Sequence, residues 1–200
     1  RELKNTGSLV ASNSLTINAS GQVSGGGNYS GGKAVAIVAD SVDLKSASIQ
    51  SGGWLNIDTV GDITLTATQI KAKTDATLTA GGELSMKAQE FNTKVVRGDG
   101  TSRTETKFET SNIEAGGTVV LSTKKDLTLE GSKVDAGNNL LVESKQGNVN
   151  LVALKEVSDY NYKGEGALAE IQAREKAAQE AALATKRGIF DQAQADAPEQ

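Results

Sequence analysis

Between Trp54 and Phe91 the apolar residues come in alternating pairs: Leu55/Ile57, Ile63/Leu65, then Ile70, then Ala76/Leu78, Leu84/Met86, then Phe91. The second set repeats the first 21 positions later, with 55 falling on 76, 57 on 78, 63 on 84, 65 on 86 and 70 on 91. A repeat of this length predicts stacked supersecondary units in place of one globular core. Within each unit the local period is 2, which predicts strands. Each unit therefore holds three short strands joined by polar or glycine-rich corners. The pattern predicts an all-β chain built as a parallel β-helix with coils of about 21 residues.

The pattern extends both ways from this centre. Upstream, Leu15/Ile17 and Val23 carry it, with Leu9 in an earlier, incomplete face, and GGGNYSGG (25–32) reads as a flexible corner or short loop. Val35/Ile37, Val42/Leu44 and Ile49 form the next coil. Downstream come Ile113, Val119/Leu121, Leu127/Leu129, Val134, Leu140/Val142 and Val149/Leu151. Short corner motifs recur as SIQSGGWL, NIEAGGTV and KVDAGNNL. Counting faces predicts about six coils, a rod roughly 30 Å long at ~4.8 Å per coil. Residues 1–156 are assigned to this β-helix.

Two stretches break the rhythm. Over 92–111 the apolar pairs vanish and charge rises. Thr93/Val95/Arg97 and Thr104/Thr106/Phe108 alternate on either side of Gly98-Asp99-Gly100, which favours a hairpin with its tip at 98–102. The competing reading is one poorly packed coil. From Val157 an aromatic and glycine-containing linker (157–166) leads into 167–197, rich in Ala, Glu, Gln, Lys and Arg, which predicts a C-terminal α-helical segment serving as tail or cap.

Composition narrows the function. The 200 residues include 22 glycines, 4% aromatics, one proline, no cysteine and no histidine, at a net charge of −4. No basic stripe is present, which argues against a nucleic-acid partner. Without Cys or His there is no thiolate metal site and no nucleophilic triad. The longest apolar run, Ala34 to Ala39, is far too short to span a membrane. The chain starts at Arg1 in mid-pattern and is expected to be a piece of a longer protein.

Candidate sites are few. Arg97-Gly98-Asp99 sets a guanidinium and a carboxylate apart on a predicted turn, the arrangement of an integrin-recognition tripeptide; the plain alternative is a Gly-Asp-Gly turn with a nearby arginine. Gly27 to Lys33 has phosphate-loop spacing, but Ala34 follows where a hydroxyl is needed, and a strand follows where a helix is needed. Asp62 and Glu83 share one register, with Asp126 at the matching position before Leu127. Such stacked carboxylates suit a weak cation site or the acid/base pair of a polysaccharide-acting β-helix enzyme, a reading disfavoured by the missing histidine, and Asp at a corner is also ordinary turn chemistry. Trp54, Tyr160 and Tyr162 offer faces for stacking on sugar. The residues predict no catalytic group, cofactor or metal.

The segments GDITLTATQIKA (61–72), GGELSMKAQEF (81–91) and NIEAGGTVVLSTKKDLTLEGSKVDAGNNLLVESKQGNVNLVALKEVSDYNYKG (112–164) resemble, in that order, the haemagglutinin repeats of filamentous haemagglutinin and of contact-dependent growth inhibition proteins. The resemblance covers roughly residues 8–164. It implies a right-handed parallel β-helix in a large exoprotein of a Gram-negative bacterium, exported by two-partner secretion and displayed on the cell surface as an adhesin or as a stalk that delivers a toxin. The partners it implies are neighbouring β-helix segments of the parent exoprotein, an outer-membrane transporter during secretion, and a target-cell receptor. The family's secretion-recognition domain and a recognisable toxin are not found in this sequence, and the helical segment from 167 matches no repeat.

Overall fold

A computed structural model describes residues 1–98, 100–161 and 176–180. The chain divides into two compact units. The first holds Arg1–Phe91 and Thr106–Glu156; the second holds Asn92–Glu105 and the chain from Val157 on.

The first unit is a stack of three-strand rungs. The first rung is β1 (Leu3–Lys4), β2 (Ser8–Ala11) and β3 (Ser14–Asn18); the second is β4 (Gln22–Gly25), β5 (Asn28–Gly31) and β6 (Ala34–Ala39). The third is β7 (Ser41–Lys45), β8 (Ser48–Ser51) and β9 (Trp54–Thr59), and the fourth β10 (Ile63–Thr66), β11 (Gln69–Ala72) and β12 (Ala76–Ala80). The fifth opens with β13 (Leu84–Lys87), is interrupted by β14 (Gln89–Val96) and β15 (Ser102–Glu109), and resumes with β16 (Asn112–Ala115) and β17 (Val119–Thr123). The sixth is β18 (Leu127–Glu130), β19 (Lys133–Ala136) and β20 (Leu140–Ser144), followed by β21 (Val149–Val152) and then β22 (Val157–Asn161).

Like positions stack into three parallel sheets. Sheet A runs β1-β4-β7-β10-β13-β18-β21, sheet B holds β2, β5, β8, β11, β16 and β19, and sheet C holds β3, β6, β9, β12, β17 and β20. With seven strands in sheet A the stack makes about seven turns and is about 30 Å long at the ~4.8 Å strand spacing. The fold is a parallel β-helix. The 21-residue columns form as the pattern predicts: Leu65 lies beside Met86 and Leu44, Ile63 beside Leu84, and Leu78 beside Ile57. Alternation turns these side chains inward, and all are fully buried.

The structure corrects three expectations. Leu9 belongs to a complete first rung, with Leu3 and Leu15 packed on the core beside it. The segment 25–32 is not a loop: Asn28–Gly31 is a strand of sheet B, and Tyr29 sits in the column beside Ile49 as one of the largest fully buried side chains. A single aromatic among glycines and polar residues gave no alternation from which to read that strand. Finally, Phe91 does not continue the Ile70 column. Ile113 lies beside Ile70, Leu121 beside Leu78 and Leu127 beside Leu84, so each of these columns jumps 43 positions and Phe91, 43% exposed, belongs to β14. The chain leaves the stack after Lys87 and rejoins it at Asn112 with no loss of register.

In the second unit, β22 belongs to a three-stranded sheet of order β14-β15-β22. Residues 176–180 are helical; the rest of the expected helical segment at 167–197 lies outside the described residues. Among the described residues no helix is long and apolar enough to cross a membrane.

Core truncation is expected to act through the columns. Leu65→Ala should cost about 2–5 kcal/mol of unfolding free energy, whereas Leu151→Ala, at 74% exposure, should stay within about 0.5 kcal/mol, both read by denaturant titration. Tyr29 supplies a second test, because its buried hydroxyl has no hydrogen-bond partner. The adjacent Asn5 amide is committed to the backbone, with Nδ2 donating to Asn28 O at 3.1 Å and Oδ1 accepting from the Gly7 N–H at 3.0 Å. Burial pushes the Tyr29 phenol above its ordinary 10.0, with Asn5 pulling the other way. The unfolded chain therefore releases that proton first, so stability is full below pH 10 and declines as pH rises above it. Tyr29→Phe should remove that part of the decline and raise stability at pH 7 by up to about 1 kcal/mol, as read by melts across pH 7–11.

Candidate functional site

Two places on the molecule carry more chemistry than a plain rung: the corners between sheets and the excursion from 88 to 111. At the corner from sheet A to sheet B, Ser46, Ala67 and Gly131 occupy one stacked position with φ of +55°, +49° and +53°. This left-handed turn is unusual for residues with a Cβ, and it recurs at the bends of the third, fourth and sixth rungs. Ala88 stands 21 positions after Ala67 but is not in that conformation; the chain runs on into β14. The excursion thus starts at the one bend the fifth rung omits.

Its neck is sealed from within. Ser111 is fully buried, and its hydroxyl reaches Leu65 O at 3.0 Å and Lys87 O at 2.7 Å while accepting the Thr68 N–H at 3.1 Å. The Thr68 hydroxyl donates in turn to backbone carbonyls, at 3.1 Å to Leu44 O or Thr66 O. Gln69 Nε2 donates to Thr110 O at 2.8 Å and Asn112 Nδ2 to Gln69 Oε1 at 2.9 Å, closing the outer side. The point where the chain departs is therefore as well bonded as any corner.

The excursion's strands β14 and β15 are joined by 97–101. The Arg97 N–H donates to Thr101 O at 2.9 Å and the Gly100 N–H to Arg97 O at 3.0 Å, with Gly100 at φ +81°. Arg97 and Gly98 are exposed, and nothing lies within 4 Å of where a Gly98 Cβ would be. Asp99, third residue of the tripeptide, lies outside the described residues.

The remaining candidates resolve into corner geometry. Asp62 Oδ1 accepts the Glu83 N–H at 2.8 Å, and Asp126 Oδ1 accepts the Asn148 N–H at 2.8 Å. Asp75, which the sequence pattern did not single out, does the same for Thr118 at 2.7 Å. In each case a glycine precedes the donor. A Cβ on Gly82, Gly117 or Gly147 would fall 2.0, 2.3 or 2.4 Å from that oxygen, so only glycine allows the carboxylate to close on the next rung. The signal for Asp75 was Gly117, on the far side of the excursion. These aspartates clip neighbouring rungs together, and among the described residues no acidic cluster could hold a metal ion. The phosphate-loop match is likewise structural. Residues 28–31 form β5, and the Gly27, Asn28, Gly32 and Lys33 N–H groups donate to backbone carbonyls of the first rung. Trp54 opens β9 and is 49% exposed, facing away from the core. The side chain of Tyr160, and all of Tyr162, lie outside the described residues.

A stack of rungs with 21-residue spacing, AGG-type corners and one polar interruption is the pattern of a known repeat family, and the hemagglutinin repeat family matches residues 3–167. The chain belongs to the hemagglutinin repeat family. Among curated relatives it is 28% identical to a protein named deoxyribonuclease CdiA of Yersinia pseudotuberculosis serotype O:3 (strain YPIII), over 69% of this chain and 13% of that protein. It is 25% identical to one named tRNA nuclease CdiA-2 of Burkholderia pseudomallei (strain 1026b), over 67% of this chain and 4% of that protein. The hemagglutinin repeats here thus span a small fraction of the relatives they match. No solved structure matches at a significant level. Hemagglutinin repeats and these relatives place the chain among segments of large filamentous exoproteins that are secreted or held at the cell surface.

The neck makes a sharp test. Ser111→Ala removes the buried acceptor of the Thr68 N–H and the single donor shared by Leu65 O and Lys87 O, and should cost about 1–3 kcal/mol, measured by urea titration; Ser111→Thr, which keeps the hydroxyl, should recover part of it.

Proposed function

We propose that this chain is a stretch of stiff rod in a secreted exoprotein of a Gram-negative bacterium, held outside the outer membrane, where it presents a receptor-binding or toxin-delivering element to a target cell. The observation that supports this best is the state of the last turns. Their inward columns stay open, with Leu140 50% and Leu151 74% exposed, above strand edges that have no further strand paired to them among the described residues. Such an edge fits one more rung of the same kind, supplied by a neighbouring β-helix segment of the parent protein. Stiffness follows from ladders of backbone hydrogen bonds that run through all three sheets and continue around the corners. In this reading the rod itself carries out no catalysis, and it meets an outer-membrane transporter during export. In this reading the nuclease activities in the relatives' names belong to parts of those proteins beyond the matched repeats.

A second reading has its own observation. The exposed Arg97-Gly98 pair, on a loop closed by its own backbone, suits adhesion to a target-cell receptor, with Arg97, Gly98 and Asp99 as the contact residues.

Deletion of 92–110, with a short glycine bridge, separates the two. The rod should keep its parallel register and melt within a few degrees of the parent, as read by circular dichroism. If the rod alone is the function, surface display and target-cell engagement by the parent exoprotein stay unchanged. If the loop is an adhesin, display persists and attachment is lost, and Asp99→Glu alone should reproduce that loss. A deletion variant that no longer folds would reject the rod reading.

A further inference from the structure

The tip of the excursion differs from the lysine-bearing corners of the stack in what must open before a backbone bond can be reached. Residues 93–98 and Gly100 are exposed, and nothing lies within 4 Å of the place a Gly98 side chain would take. Opening the turn gives up the Arg97 N–H bond to Thr101 O and the Gly100 N–H bond to Arg97 O, and uncovers no buried side chain among residues 93–98. At the corners more is lost. The Lys33 and Ala34 N–H groups donate to Asn13 O, Lys73 and Thr74 to Ser51 O and Gly53 O, and Lys124 and Lys125 to Ala80 O and Gly82 O. Ala34, Ala72 and Leu127 beside them are buried. The described residues include three arginines, Arg1, Arg97 and Arg103, and Arg103 lies within β15, the middle strand of its sheet.

We propose that the Arg97–Gly98 peptide bond is a processing site for an arginine-specific serine endopeptidase. Exposed loop tips with small residues are where folded chains are preferentially nicked. The strand β14 runs extended to Val96, the exposed Arg97 guanidinium suits a pocket that ends in a carboxylate, and Gly98 sets no side chain in the way of the attacking hydroxyl. Hydrolysis adds one water across the bond. The Arg97 carbonyl carbon takes the oxygen and becomes a carboxylate, and the Gly98 nitrogen takes both protons and leaves as an ammonium group. The rod does not come apart when this bond is cut. Beyond the cut, β16, β17 and β18 pair with β11, β12 and β13 before it. Ser111 likewise stays bonded to Leu65 O and Lys87 O across the same divide. Cleavage therefore opens the tip and leaves the scaffold standing. The proposal does not depend on the adhesive reading of the loop; where that reading holds, the cut divides its three contact residues.

Dimethylation of the lysines keeps their charge and confines trypsin to arginine. Trypsin acting on the folded, dimethylated 200-residue chain should yield a fragment 1–97, identified by mass under denaturing conditions. Cutting within a folded chain tracks the local opening equilibrium, so Arg97 should be cut at least about a hundredfold faster than Arg103. The same ratio read on the unmodified chain guards against damage by the modification. Before denaturation the pieces should elute together and melt within a few degrees of the uncut chain. Arg97→Gln should abolish the fragment without moving the melting curve. An Arg97–Gly98 bond that survives in the folded chain at enzyme levels that cut it in the unfolded one would overturn the proposal. So would equal cutting after Arg97 and Arg103, which would mean that the whole excursion opens as one, or cut pieces that separate without denaturant.

Discussion

The interaction on which the whole structure depends is contact between a rung and the rungs directly above and below it. No rung has a core of its own: two or three small apolar pairs per turn cannot bury themselves. Leu44, Leu65 and Met86 are excluded from water, and Leu129 partly so, because they lie in one column, with strands ~4.8 Å apart carrying each over the next. Backbone hydrogen bonds run along the same direction, so burial and ladder formation are satisfied together. Stability in such a stack is close to a sum over neighbouring turns, and damage to one turn spreads to its neighbours before it reaches the ends.

The corners decide which sequences can enter the stack. Three aspartates, Asp62, Asp75 and Asp126, each reach to an N–H of the following turn. They can do so because the residue before that N–H has no side chain. Inward hydroxyls at Thr59, Thr68, Ser111 and Thr123 treat nearby carbonyls in the same way. A buried corner otherwise leaves backbone groups without partners, and this is costly in an apolar interior. The polar residues at the bends, which in a linear sequence resemble catalytic or cation-binding sets, serve mainly to meet that requirement.

The strands with paired apolar residues were legible in the sequence because alternation and a 21-residue spacing reinforce each other, as with Leu55/Ile57 over Ala76/Leu78. Three features were not. Tyr29 stands alone among glycines and polar residues, so its strand shows no alternation. Phe91 stands 21 positions after Ile70 by coincidence, since the excursion is nearly as long as a turn and imitates the period. Asp75 pairs with a residue 43 positions away, beyond the reach of a search tuned to 21. Of the candidate contact residues, the sequence placed Arg97 and Gly98 near a turn, and the described loop holds them in one that its own backbone closes. What such a loop binds depends on a partner's surface, about which the spacing of this chain carries no information.

The seal formed by Ser111 with Leu65 and Lys87 has an evolutionary consequence. Because the turns on either side recognise one another directly, the rod is indifferent to what is threaded out between Ala88 and Ser111. Selection on that stretch is uncoupled from selection on the scaffold. A lineage could lengthen it, replace it or vary it to escape recognition, generation after generation, without having to re-solve the folding problem beneath.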